Sequence, residues 1–175
     1  MWVKNIRGLS SNFDFLELRI ASVPRPSIII IINETFINPD LHDSSAFQMR
    51  HYSCFRADRS GHGGGTAVYV REHSTCTELF SHSTATYEVL WLRIRFESLD
   101  LVLCACYNSN QSYVDIFNQL SSDLRSLHCR FPSAKFIVAG DLNMHHPEWL
   151  IYSSHRSASG IAGFAFATES FSDRF

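Results

Sequence analysis

The sequence has no CxxC pair, no apolar run long enough to cross a bilayer, no low-complexity tract and no block of basic residues. Each absence excludes something. A bilayer span needs about 20 consecutive apolar residues, so no membrane segment is expected. The opening Met1-Trp2-Val3-Lys4-Asn5 carries no apolar core of a secretory leader. The five cysteines are odd in number, which argues against a disulfide framework or a zinc knuckle. Reduced thiols in an intracellular protein are the plainer reading. With a net charge of −2 and only 18% charged residues, the chain lacks the basic stripe of a passive nucleic-acid binder. That balance says little against an enzyme that engages a phosphodiester through a metal ion. Nothing linker-like divides the 175 residues, so residues 1–175 are expected to form one domain.

What is present is a series of short apolar strands with a few helices. Trp2 to Ile6 reads as a strand, and Phe13 to Ile20 as a short helix with Asn12 as its N-cap. Ile28 to Ile32 are five isoleucines in a row, a β-branched run expected to be buried on both faces. Tyr52 to Arg56, Thr66 to Arg71, Glu88 to Phe96 and Leu101 to Tyr107 read as further strands, with a hairpin turn at Ser98-Leu99-Asp100. Cys104 and Cys106 should share one strand face. Tyr113 to Cys129 is the clearest helix, with Ser112 as N-cap and an apolar stripe through Ile116, Leu120, Leu124 and Leu127. Phe136 to Ala139 reads as a buried strand stopping at Gly140, and another helix begins near Ser159. The mixture predicts a layered α/β or α+β fold around mixed sheets.

Polar groups gather where these strands end. Glu34 follows the isoleucine run, and its carboxylate suits a hard cation such as Mg²⁺; it reads equally as a solvated loop glutamate. Asp141 and Asn143 follow another strand, as a base for water and an amide for a phosphoryl oxygen, or as an Asx turn. Asn5 and Tyr107 end two more strands, either as site residues or as structural hydrogen-bonding groups. Four strand ends of this kind predict one shared cleft. His145, His146 and His155 raise zinc, yet adjacent histidines do not face one ion easily and no HExxH occurs; shaping the loop is the better reading for His145 and His146. Gly61-His-Gly-Gly-Gly65 lacks the ending of a phosphate loop and reads as a hairpin turn.

Together these motifs resemble the exonuclease–endonuclease–phosphatase superfamily, and within it the endonuclease domain of non-LTR retrotransposons. The resemblance rests on Asn5-Ile-Arg-Gly-Leu9, Ile32-Asn-Glu-Thr-Phe36, Asp58-Arg-Ser-Gly61 with Gly63-Gly-Gly-Thr-Ala-Val-Tyr-Val-Arg71, Glu88-Val-Leu-Trp-Leu92, Cys106-Tyr-Asn108 and Gly140-Asp-Leu-Asn-Met-His-His-Pro-Glu-Trp149. The last is the most specific. The resemblance implies a four-layer α/β sandwich, two mixed sheets flanked by helices. It implies Mg²⁺ or Mn²⁺ at Glu34, support from Asn5, a phosphate contact from Tyr107, water activation by Asp141 and orientation by Asn143. The implied reaction nicks a DNA strand and leaves a 3′-hydroxyl that primes a reverse transcriptase domain of the same polyprotein, in the nucleus. The family's later strands and its Ser-Asp-His motif have no counterpart; Ser172-Asp-Arg174 carries Arg where His is needed. The chain is therefore expected to be incomplete at its C-terminus and weak or inactive by itself. Two alternatives stay open: a non-catalytic relic or binding module, and a phosphoesterase acting on a non-DNA ester.

Overall fold

The computed structural model describes residues 1–40, 43, 45–59, 63–109, 113–148 and 157–171. Ser112, Gly61, His62, Trp149, His155 and Ser172 to Arg174, which carried expectations above, lie outside the described residues. Eleven elements follow in order: β1 (Trp2–Asn5), α1 (Leu9–Ala21), β2 (Ile29–Asn33), β3 (Tyr52–Ala57), β4 (Thr66–Arg71), β5 (Thr75–Ser83), β6 (Tyr87–Phe96), β7 (Leu99–Asn108), α2 (Tyr113–Arg130), β8 (Lys135–Asp141) and α3 (Ala158–Phe171). They make two four-stranded mixed sheets, ordered β1-β2-β4-β3 and β5-β6-β7-β8. The architecture is an α/β sandwich, as expected. No helix among the described residues is long and apolar enough to cross a membrane.

The chain divides into two compact units, Met1–Tyr107 with Ala134–Asp141, and Asn108–Ser133 with Leu142–Phe175. In the first, the sheets face each other. Ile29, Ile31, Val68 and Val70 of one meet Leu90, Leu92, Leu101 and Leu103 of the other in an apolar core. The opposite face of the first sheet, with Ile30, Ile32, Ala67 and Tyr69, packs on Leu9, Leu16 and Ile20 of α1. Ile29 to Ile32 are thus buried on both faces, because alternate isoleucines serve two cores. In the second unit, α2 packs on α3 through Phe117 and Phe166, whose ring centroids lie 5.4 Å apart.

Several sequence expectations need correction. α1 starts four residues earlier than predicted and has no side-chain cap. Gly8 N–H donates to Glu34 O at 2.8 Å and Leu9 N–H to Thr35 O at 2.7 Å, so the loop after β2 satisfies groups that a cap would otherwise serve. Asn12 lies inside the helix and donates back to Gly8 O at 2.8 Å. β5 was missed. Its alternation is weak, and a bulge between Glu78 and Phe80 breaks the register with β6. The β6–β7 turn is Glu97-Ser98, one residue earlier, with Glu97 at φ 51°. In β6 the alternation of Val89, Trp91 and Arg93 against Leu90, Leu92 and Ile94 suggests one strongly buried face, yet Val89 and Trp91 are buried as fully as Leu90 and Leu92. β8 is an edge strand rather than a buried one: it pairs only with β7 in its sheet, and Ile137 is exposed.

Candidate active site

β1 and β2 run parallel with Asn5 opposite Asn33, and β7 and β8 run parallel with Tyr107 opposite Asp141. Both pairs end at the same place, so the two sheets deliver their polar termini together. Asn5 Nδ2 donates to Asp141 Oδ2 at 3.0 Å. Tyr107 donates its hydroxyl to Glu34 Oε1 at 3.2 Å. Four of the five predicted residues, Asn5, Glu34, Tyr107 and Asp141, therefore meet in the first unit. Asn143 belongs to the second unit, where its Nδ2 donates to Asn108 O at 2.6 Å.

The backbone here is bent out of common conformations. Glu34 sits at φ 55° and Arg7 at φ 50°, left-handed values that are unusual for such side chains. Gly140 has φ 149°, and a Cβ there would stand 1.8 Å from Cys106 O, so only glycine lets β8 lie against β7 before Asp141. Burial pushes the Tyr107 phenol up to about 12, and the Glu34 carboxylate it serves adds to the rise. Tyr107 thus keeps its proton at neutral pH and acts as a donor.

Residues 101–170 match the family model described as endonuclease-reverse transcriptase. None of the curated proteins matches the chain in sequence. Among solved structures, the endonuclease domain of TRAS1, a telomere-specific non-LTR retrotransposon, superposes with a TM-score of 0.65 at 17% identity, over 94% of this chain and 68% of that one. The AP endonuclease LMAP of Leishmania major gives 0.63 at 18% identity, over 97% and 65%. A mannosyl-6-phosphatase of Bacteroides thetaiotaomicron gives 0.63 at 11%, over 91% and 63%. This is the exonuclease–endonuclease–phosphatase fold. The resemblance to the endonuclease domain of non-LTR retrotransposons, carried first by motifs, holds. The chain spans about two thirds of the length of these structures.

Within this fold, sequence reasoning passed over the residues that hold the site in place. Asn33 is fully buried. Its Oδ1 accepts from Asp141 N–H at 3.0 Å, and its Nδ2 donates to Thr66 Oγ1 at 2.7 Å and Cys106 O at 3.2 Å. One amide thereby ties β2 to β4, β7 and β8. Arg59 pairs with the fully buried Glu88, and its guanidinium carbon lies 5.7 Å from the Tyr107 ring centroid. Burial raises the Glu88 pKa above the ordinary carboxylate range, against the pull of Arg59. A Cβ on Gly64 would strike the Arg59 guanidinium at 2.5 Å, and one on Gly65 would strike Thr35 Oγ1 at 2.2 Å, which explains the glycine run before β4. The signal was available: an acid opening the strongly apolar β6 demands a buried partner.

The two adjacent histidines do shape the loop. The His146 ring stacks on Phe164 with centroids 4.8 Å apart, and His145 O accepts from Ser157 N–H at 3.0 Å. Gly163 admits Met144, whose Sδ would lie 2.0 Å from an added Cβ. Among the described residues no three His, Cys, Asp or Glu side chains form a metal cage. Mg²⁺ needs less, one or two carboxylates with waters filling the rest of its shell. Asn5 Oδ1 is buried without a hydrogen-bond partner beside the Asp141 carboxylate, a hard oxygen donor of the kind such an ion takes. The donor set fits a hard divalent cation.

Proposed function

We propose that this chain forms the catalytic corner of a metal-dependent DNA endonuclease that nicks one strand and leaves a 3′-hydroxyl for a reverse transcriptase domain of the same polyprotein. The observation that carries the reading is the hydrogen-bonded meeting of Asn5, Glu34, Tyr107 and Asp141 at four strand ends, with Asn5 Oδ1 buried and unpaired. Glu34 and Asn5 Oδ1 would hold Mg²⁺ or Mn²⁺. When bound, such an ion supplies neutralisation of phosphoryl charge and a more acidic water. Asp141, oriented by Asn5 and fixed through its N–H by Asn33, takes the proton of the attacking water. The water oxygen bonds to phosphorus, the bond to O3′ breaks with its electron pair on O3′, and O3′ takes a proton from solvent water to leave as the 3′-hydroxyl. Tyr107, protonated, donates to Glu34 or to a phosphoryl oxygen.

DNA as substrate is supported by the family description and by the TRAS1 and AP endonuclease likenesses in fold. Full turnover is proposed for a chain extended by the Ser-Asp-His motif that the resemblance implies. Such an extended protein is expected to nick supercoiled plasmid with Mg²⁺ or Mn²⁺, and to lose this on Asp141→Ala or Glu34→Ala. An extended protein that folds but leaves plasmid intact while hydrolysing a phosphate monoester would overturn the reading.

A further inference from the structure

A groove of about 310 Å³ runs between β1 and α1 and ends at Asn5, within the candidate active site. Lys4, Arg7 and Arg19 line it together with Trp2 and Phe15, and none of its lining residues is acidic. The Arg19 guanidinium carbon lies 5.8 Å from the Trp2 ring centroid, which holds that cation at the far end. Phe15 is 67% exposed, an unusual place for a phenylalanine on a helix whose core face is filled by Leu9, Leu16 and Ile20. The opposite flank of α1 borders a groove of about 620 Å³ where Asp14 and Glu17 accompany Arg50, His51 and Arg71, so charge is balanced there. In a chain of net charge −2, an all-cationic groove opening onto the catalytic corner is a local exception.

We infer that this groove is a track for the strand flanking the cleaved phosphodiester, with Lys4 and Arg19 on phosphates and Phe15 as a stacking platform for an unpaired base. The inference rests on the endonuclease reading for what lies at the Asn5 end. Four residues of β1 span about 13 Å at about 3.3 Å each, a length that takes only a short run of an unpaired strand. Exposed cations beside an exposed ring suit single-stranded nucleic acid, where phosphate neutralisation supplies affinity and stacking is tolerant of sequence.

The test measures binding of a fluorescein-labelled 12-nucleotide single strand to the 175-residue chain in EDTA, across a salt series. The Lys4→Ala/Arg19→Ala double variant is expected to bind roughly tenfold more weakly at low salt, with a salt slope shallower by about 1.4, near 0.7 per cation. Phe15→Ala is expected to weaken binding at least fivefold with the slope unchanged. Asp14→Ala/Glu17→Ala, on the other flank, should lose nothing. Wild-type binding that the double variant leaves unaltered, no binding even at low salt, or equal displacement by polyglutamate would overturn the track. Because the measurement is made without metal, loss of the nicking activity proposed above leaves it standing, and its failure leaves nicking untouched.

Discussion

The candidate site has two glutamates, and they live in opposite worlds. Glu88 has no exposed surface and is locked to Arg59, whose guanidinium leaves no room for a Cβ on Gly64. Glu34 is partly exposed and lightly held, by a 3.2 Å bond from Tyr107 and by Arg7 at 3.9 Å, whose side chain is 84% exposed. Both carboxylates lie near Tyr107, one reaching it through Arg59 and one directly. The difference separates a fixed half of the site, Asn33, Arg59, Glu88 and Gly140, from an open half, Asn5, Glu34, Tyr107 and Asp141. In the fixed half Arg59 is paired with Glu88, and Asn33 is spent on Thr66, Cys106 and the Asp141 N–H. The open half keeps oxygen atoms for a ligand, Asn5 Oδ1 among them.

The comparison breaks most visibly in the fixed half. Arg59→Met leaves the Glu88 carboxylate buried without its cation and should cost about 3–5 kcal/mol of stability, read by urea unfolding. Adding Glu88→Gln should recover much of that loss; a double variant as unstable as the single would show that the pair is not the cause. Gly140→Ala drives a methyl into Cys106 O and should cost at least about 3 kcal/mol, with the β7–β8 amides losing hydrogen-exchange protection. Asn33→Ala orphans the Asp141 N–H, Thr66 and Cys106 O, and about 2–3 kcal/mol is expected in the same assay.

Alkaline pH loosens the open half, through Tyr107, and the apolar cores beside it, through Cys54 and Cys76, more gently. Burial raises Cys54 to about 11, Cys76 to about 12 and Tyr107 to about 12, from ordinary values of 9.0 for the thiols and 10.0 for the phenol. The folded chain holds these protons longer than the unfolded one, so their stabilising contribution is complete below pH 9 and is lost as pH rises through 12. Melting temperature should fall over that window, and Tyr107→Phe should flatten its upper part. The smallest stability effect belongs to Glu34→Gln, within about 0.5 kcal/mol of wild type, with Mn²⁺ binding by electron paramagnetic resonance weakened at least tenfold. Equal Mn²⁺ binding by wild type and variant would remove Glu34 from the open half.

Three of the strand ends were legible because Glu34, Tyr107 and Asp141 each come at the end of an apolar run. The isoleucines announce β2, and Gly140 announces the stop before Asp141. β5 was illegible because its partner, not its own pattern, makes it a strand. The start of α1 was missed because its first N–H groups are satisfied by the loop after β2, far along the chain.

By itself the sequence determined the number and order of most strands, the polar residues at their ends and the family motif. Those are local matters of periodicity, β-branching and turn chemistry. The tertiary structure alone decided that Asn5 reaches Asp141 across 136 residues, that Asn33 ties four strands, and that Arg59 lies across Tyr107 to meet Glu88. Hydrogen bonds and buried charges are satisfied wherever the fold brings partners together, and no residue spacing along the chain records where that will be.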